Sequence, residues 1–255
     1  MLDQLIPIAR EAGKRMLSYR DAAAHRKEGH YNFVTDADVA VQKYLQKELA
    51  ALLPDSRFYA EEQSNQPLTE QPTFVVDPID GTTNFMRHRN ASAVSVALLV
   101  NKAPVLGVVC NPYADEVFSA QAGKGAALNG KTIRVSSFSF ENALITMGTS
   151  PYDSTLARRT LTAAARVLLE AGDLRRTGSA ALDLCDVACG RTDVFFELVL
   201  QPWDVAAGSL LVKEAGGRFI SLGHEEPYYD GPSGILAANP KCAEKALSIL
   251  KECGA

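Results

Sequence analysis

Between residues 73 and 135 the chain offers one short strand-like run after another, set among glycine, proline and asparagine turns. Thr73–Asp77, Ala93–Val100, Val105–Cys110, Glu116–Ala120 and Thr132–Val135 are each four to eight residues long. Runs of that length bounded by turn formers read as buried strands rather than helices. Asn101-Lys102-Ala103-Pro104 joins two of them as a hairpin, and Gly123–Gly125 and Asn129-Gly130 mark further turns. Two helices lead into this region. Leu5, Ala9, Ala12 and Met16 recur at helical spacing. Val41, Leu45, Leu49 and Leu52 do so again, behind a Thr35/Asp38 capping pair and ahead of Pro54.

The second half alternates. Leu144–Gly148, Leu174–Thr177, Asp193–Glu197, Arg218–Ile220 and Ile235–Ala238 read as strands. Helices are expected at Thr155–Ala171, Ala180–Ala188, Asp204–Ala215 and Lys241–Lys251, several closed by glycine. The fold class is α/β, with an α+β first half over residues 1–139 and an α/β half over 140–255. The boundary falls near 137–142, and the halves are expected to share a core.

Composition sets limits on partners. Among 255 residues, 30 are acidic and 26 basic, so the formal net charge is −4. Apolar content of 47% with so small a charge excludes intrinsic disorder. It also disfavours a chain devoted to nucleic acid. The N-terminal stretch is amphipathic, unlike a signal peptide, and Ala93–Val100 is too short for a membrane span. A soluble, cytoplasmic protein without membrane contact is expected. Five scattered cysteines make no disulfide framework. Cys185 and Cys189 share a helix face and read as core residues. His25, His30, His88 and His224 show no metal-binding spacing.

The chemistry concentrates in Asp77-Pro78-Ile79-Asp80-Gly81-Thr82-Thr83-Asn84. A strand ends in a carboxylate, Pro78 and Gly81 force a turn, and a second carboxylate stands three residues on. Backbone N–H groups at a helix start favour an anion such as phosphate. Carboxylates beside an anion require a cation between them, and hard oxygen ligands bridging to phosphate suit Mg²⁺. Glu61-Glu62 and Asp204 offer further ligands. Each piece has a plainer reading as well. Asp-Pro and Asp-Gly are common in turns, Asp204 and the Thr35/Asp38 pair serve as helix caps, and Glu61-Glu62 sits on a solvated loop.

DPIDGTTNF at Asp77–Phe85, the Glu61-Glu62 pair and PWDVAAGSLLVKEAGG at Pro202–Gly217 resemble the inositol monophosphatase family of Mg²⁺-dependent, lithium-sensitive phosphatases. Arg175–Ala181 is similar to bacterial members in particular. The resemblance implies a layered αβαβα sandwich, a homodimer and two or three Mg²⁺ ions per subunit. It implies metal ligation by Glu61, Asp77, the carbonyl of Ile79, Asp80 and Asp204. It implies phosphate binding by the N–H groups of Gly81 and Thr82. Glu61 and Thr82 would orient the attacking water, with Asp38 holding Thr82. Lys27 falls near the phosphate. Asp80, Gly178, Ser179, Ala180 and Glu197 would contact a polyol, and Arg191 a dimer interface or a second anion. The substrate implied is a small phosphorylated polyol, inositol 1-phosphate first. Relatives cleave histidinol phosphate, fructose 1,6-bisphosphate, nucleotide 3′,5′-bisphosphates and NADP. Others regulate the transcription machinery, which keeps a binding role open. The loops Gln63–Gln71 and His25–Asn32 are expected to set substrate choice.

Overall fold

A computed structural model describes residues 1–21, 23–27, 33–63, 65–151 and 153–254. His30, with the rest of 28–32, and Ser64 lie outside the described residues, so part of each substrate-selecting loop does too.

Two sheets organise the chain. The first has seven strands in the order β3-β4-β5-β6-β7-β8-β9, drawn from Arg57–Ala60, Thr73–Asp80, Ala93–Val100, Ala103–Asn111, Glu116–Gln121, Ala126–Leu128 and Lys131–Thr132. The second has five, β11-β10-β12-β14-β13, drawn from Leu144–Met147 (β10), Asp173–Arg175 (β11), Val194–Leu200 (β12), Arg218–Ser221 (β13) and Ser233–Ala238 (β14). A short ribbon of β1 (Ala24–Arg26) and β2 (Phe33–Thr35) precedes them. Among the described residues, no helix is long and apolar enough to cross a membrane.

Strand alternation decides the layering. Along β4, Phe74 and Val76 pack with α1 (Leu2–Ser18) and α2 (Asp36–Leu52), while Val75 faces the opposite way. Along β12, Phe195 faces inward, whereas Val194 and Phe196 pack with α4 (Ala157–Glu170) and α7 (Ala243–Glu252). Between the sheets lie α5 (Ala180–Ala188) and α6 (Pro202–Glu214), buried on nearly every side. The order is therefore helices, sheet, helices, sheet, helices: the αβαβα sandwich. Both faces of each sheet are covered, which is why their strands read as continuous apolar runs.

Two close approaches fix α6. A Cβ at Gly107 would stand 2.9 Å from the Ala207 carbonyl oxygen, so only glycine lets α6 lie this near β6. A Cβ at Gly208 would meet the Leu184 side chain at 2.5 Å, which brings α5 and α6 together.

Several boundaries differ from expectation. β4 does not stop at Asp77. It runs through Pro78 to Asp80, with a register shift against β5 between Asp77 and Asp80. A bulge needs no ladder hydrogen bond from Pro78, so the proline is tolerated there. β12 likewise continues past Glu197 to Leu200 through a second shift. β9 stops at Thr132 rather than Val135, and α6 starts at Pro202, because proline suits the first helical turn.

Candidate active site

Three helix starts reach the site through the side chains that cap them, and a fourth through a glycine. At α2 the pairing is reciprocal. Asp38 Oδ2 accepts from the Thr35 backbone N–H at 2.7 Å and from its hydroxyl at 2.5 Å. The other oxygen, Oδ1, accepts from the Thr82 hydroxyl at 3.3 Å. Cap and site contact are thus one carboxylate, not alternatives. Asp204 follows the same plan on α6. Its Oδ2 accepts from the Gln201 N–H at 2.7 Å, and Asp204 also lines the cleft. Ser179 caps α5 by accepting from the Leu182 N–H at 3.3 Å, and its own proton goes to Asp80 Oδ2. Gly81 opens α3 (Thr82–Met86) at φ +83°, a left-handed turn that glycine adopts freely.

The bulge in β4 re-aims two carboxylates. Asp77 Oδ1 accepts from the Ile79 N–H at 2.9 Å across it. Asp80 Oδ2 accepts from Ala181 N–H at 2.9 Å besides Ser179. Carboxylate oxygens of Asp77, Asp80 and Asp204 then lie within 4.8 Å of one another. Such a bulge beside a functional site commonly points a side chain away from its strand's usual face. The Ile79 carbonyl accepts the Thr82 hydroxyl at 3.1 Å.

Electrostatics bind Glu61 into the same cluster. Asp77 is pushed well above the usual carboxylate range by burial first, then by Glu61, Asp80 and Asp204. Asp204 is raised well above it by burial, then by Asp80 and Glu61. Burial lifts Asp80 to about 6 against its hydrogen bonds from Ser179 and Ala181, and lifts Asp38 to about 6 against those from Thr35. Glu61 rises through burial, moderated by Lys27, whose Nζ lies 3.0 Å from Glu61 Oε1 and also pairs with Glu62. Buried carboxylates that raise one another's pKa need positive charge, and an all-oxygen donor set suits Mg²⁺. The donor chemistry therefore fits a hard divalent cation.

Gly81, Thr82, Gly178, Ser179, Ala180 and Glu197 line one cleft of about 310 Å³ with Asp80 and Asp204. Glu197 stands at the β12 bulge, not at a strand end. Its Oε1 accepts from the Ser150 N–H at 2.6 Å and hydroxyl at 3.2 Å, and burial raises it to about 7. A Cβ at Gly148 would fall 1.7 Å from Glu197 Oε2, so glycine there makes room for the carboxylate. Sequence reasoning passed over Ser150 and Gly148, because neither carries a motif. It also passed over Asp183, buried beside the cleft with Oδ1 unpartnered and Oδ2 accepting from Thr177 at 2.6 Å. Arg191 lies away from the cleft, paired with Glu116 and Asp186.

The Inositol monophosphatase family model matches residues 1–255. The chain belongs to the inositol monophosphatase family. It is 43% identical over 230 residues to Inositol monophosphatase 2 of Solanum lycopersicum, covering 86% of each chain. It is 36% identical over 259 residues to Nus factor SuhB of Xylella fastidiosa, covering 98% of this chain and 94% of that one. The solved structure of extragenic suppressor protein suhB from Bartonella henselae superposes with a TM-score of 0.89 at 33% identity, covering 98% of both chains. The family's metal dependence agrees with the acidic donor set.

Proposed function

We propose that the protein hydrolyses the phosphate monoester of a small polyol, with inositol 1-phosphate the first substrate to try. The observation that carries this reading is the convergence of Asp77, Asp80 and Asp204, two of which line one cleft together with Gly81, Thr82 and Glu197. Two or three Mg²⁺ ions held by Glu61, Asp77, the Ile79 carbonyl, Asp80 and Asp204 would supply charge that acidifies water and offsets the phosphate.

This chain's residues do the rest. N–H groups of Gly81 and Thr82 hold a phosphate oxygen at the start of α3. The Thr82 hydroxyl donates towards Asp38 and the Ile79 carbonyl, so its lone pairs are left to accept a hydrogen bond from one proton of the attacking water, which orients it. Glu61 accepts the other proton as general base. Water attacks in line: one P–O bond forms, the ester P–O bond breaks, and a proton reaches the departing alkoxide. Glu197 keeps Oε2 for a polyol hydroxyl while Ser150 holds Oε1, and Asp80, Gly178, Ser179 and Ala180 complete that wall.

Phosphate release from inositol 1-phosphate, histidinol phosphate and NADP, with and without Mg²⁺ and lithium, tests the reading. Mg²⁺-dependent, lithium-inhibited release led by inositol 1-phosphate is expected. A strong lead for histidinol phosphate would replace the polyol, and release indifferent to Mg²⁺ would sink the mechanism. Relatives named Nus factor support a second reading, a regulatory contact with the transcription machinery. Co-purification of RNA polymerase with a variant lacking phosphatase activity would favour it.

A further inference from the structure

β3 ends the seven-stranded sheet, with β4 on one side and, among the described residues, no strand on the other. Along a strand, the N–H and C=O groups of successive residues point to alternate sides. The Glu61 N–H, one residue past β3, reaches the Val76 carbonyl of β4 at 3.3 Å. The main chain of Glu61 therefore faces the sheet, and that of Ala60 and Glu62 faces away from it. Outward groups at such an edge need partners from elsewhere.

Side-chain amides supply them. Asn65 Oδ1 accepts from the Ala60 N–H at 3.0 Å, and its Nδ2 donates to the Ala60 carbonyl at 2.7 Å. Gln42 does the same for Glu62: Oε1 accepts from the N–H at 3.1 Å, and Nε2 donates to the carbonyl at 3.2 Å. Gln63 Nε2 continues the row, donating to the Phe58 carbonyl at 2.9 Å and to Asn65 Oδ1 at 3.0 Å. A primary amide carries a donor and an acceptor side by side, so it can pair with both main-chain groups of one residue, as a neighbouring strand would. The two complete pairings fall on the residues immediately before and after Glu61.

Gln42 adds a second constraint. It is buried on α2 four residues beyond Asp38, so the two share a helix face. Asp38 bonds the Thr82 hydroxyl, and Gln42 bonds the Glu62 main chain. About 6 Å of one rigid helix therefore relates Thr82 to Glu61, the two groups assigned to the attacking water. Lys27 reaches only the carboxylates of Glu61 and Glu62, so the outward main chain here depends on the amides. We propose that Gln42 and Asn65 are positioning residues for Glu61. By pairing the main chain on either side, they hold its carboxylate where water attack and cation binding need it. This rests on the role of Glu61 in the phosphatase reading above.

The test uses the full chain carrying Gln42→Met, which keeps the shape and loses both bonds, or Asn65→Ala. Asn65 is only part-buried, so its variant carries the test if the Gln42 variant fails to fold. Each should lower kcat for inositol 1-phosphate about tenfold or more with KM within about twofold, because a small misplacement costs turnover while the substrate contacts are untouched. In a Glu61→Gln background the same changes should lower kcat by less than about twofold, since residues acting through one group are not additive. Calorimetric titration with Mg²⁺ alone should show its Kd raised about tenfold or more in either variant. A loss confined to KM, an equal fractional loss with and without Glu61, or an unchanged Mg²⁺ Kd overturns the proposal. If no ester is cleaved at all, the phosphatase reading fails, and the Mg²⁺ titration still decides the positioning role. A raised Kd in the variants would then sustain it, and an unchanged Kd would overturn it on its own.

Discussion

Asp80→Asn separates the cost of the acidic cluster from its use. Burial raises Asp80 from 3.8 to about 6 in the folded chain, which corresponds to ~3 kcal/mol of destabilisation once the group is charged. The sign follows from proton uptake. Between about pH 4 and pH 6 the folded state holds a proton that the unfolded state has lost, so stability falls as pH rises through that window and stays low above it. Asparagine keeps an oxygen for Ser179 and Ala181 and removes the charge. It forfeits about 1–2 kcal/mol of charge-assisted hydrogen bonding. Without divalent metal at pH 8, the variant should therefore be more stable by about 1–2 kcal/mol, or roughly 2–8 °C in Tm for a chain of this size. Saturating Mg²⁺ should reverse the order. Occupancy at a hundred times Kd adds about 2.7 kcal/mol to the native protein and much less to a variant lacking a ligand. Phosphate release should be nearly abolished. Thermal melts at pH 4 and pH 8, with chelator and with Mg²⁺, measure all of this. A variant that melts lower than the native protein in chelator at pH 8, or turns over normally in saturating Mg²⁺, would refute the reasoning.

Gly148→Ala places a methyl group on Glu197 Oε2 and should cost about 1–3 kcal/mol in denaturant melts, with KM for the polyol ester raised more than kcat is lowered. Thr35→Ala removes only half of the α2 cap and should cost about 0.5–2 kcal/mol with modest change in kcat, whereas Asp38→Ala should lose both cap and turnover. Glu197 protonates near pH 7, so its grip on a hydroxyl should weaken as pH falls through 7. The ratio of native to Glu197→Gln kcat/KM should accordingly climb between pH 6 and 8, a comparison that cancels titration of the substrate itself; a flat ratio would contradict it.

Local signals were legible where one element acts alone. Ser179 ahead of Ala180 and Gly190 behind Ala188 mark α5 with correct ends. Pro78 reads as a strand terminator, and only the pairing of β4 with β5 shows that a bulge accommodates it. The convergence of Glu61, Asp77, Asp80 and Asp204 is not in their spacing, since up to 143 residues separate them. Resemblance supplied it, and physics explains it through the close approaches at Gly107 and Gly208. Arg176 stands 87 positions beyond Arg89, yet both line one cleft, and Asn84 beside them joins carbonyls 7 and 93 positions from its own.

The reciprocal cap on Asp204 has a spectroscopic consequence. The Gln201 amide proton sits on an oxygen of Asp204, a carboxylate of the acidic cluster. Its chemical shift and exchange rate should therefore track cation occupancy without any added label. The Thr35 amide, bonded to Asp38 in the same manner but facing Thr82, provides an internal reference. A titration followed at both amides would distinguish charge arriving at the aspartate cluster from a general tightening of the fold.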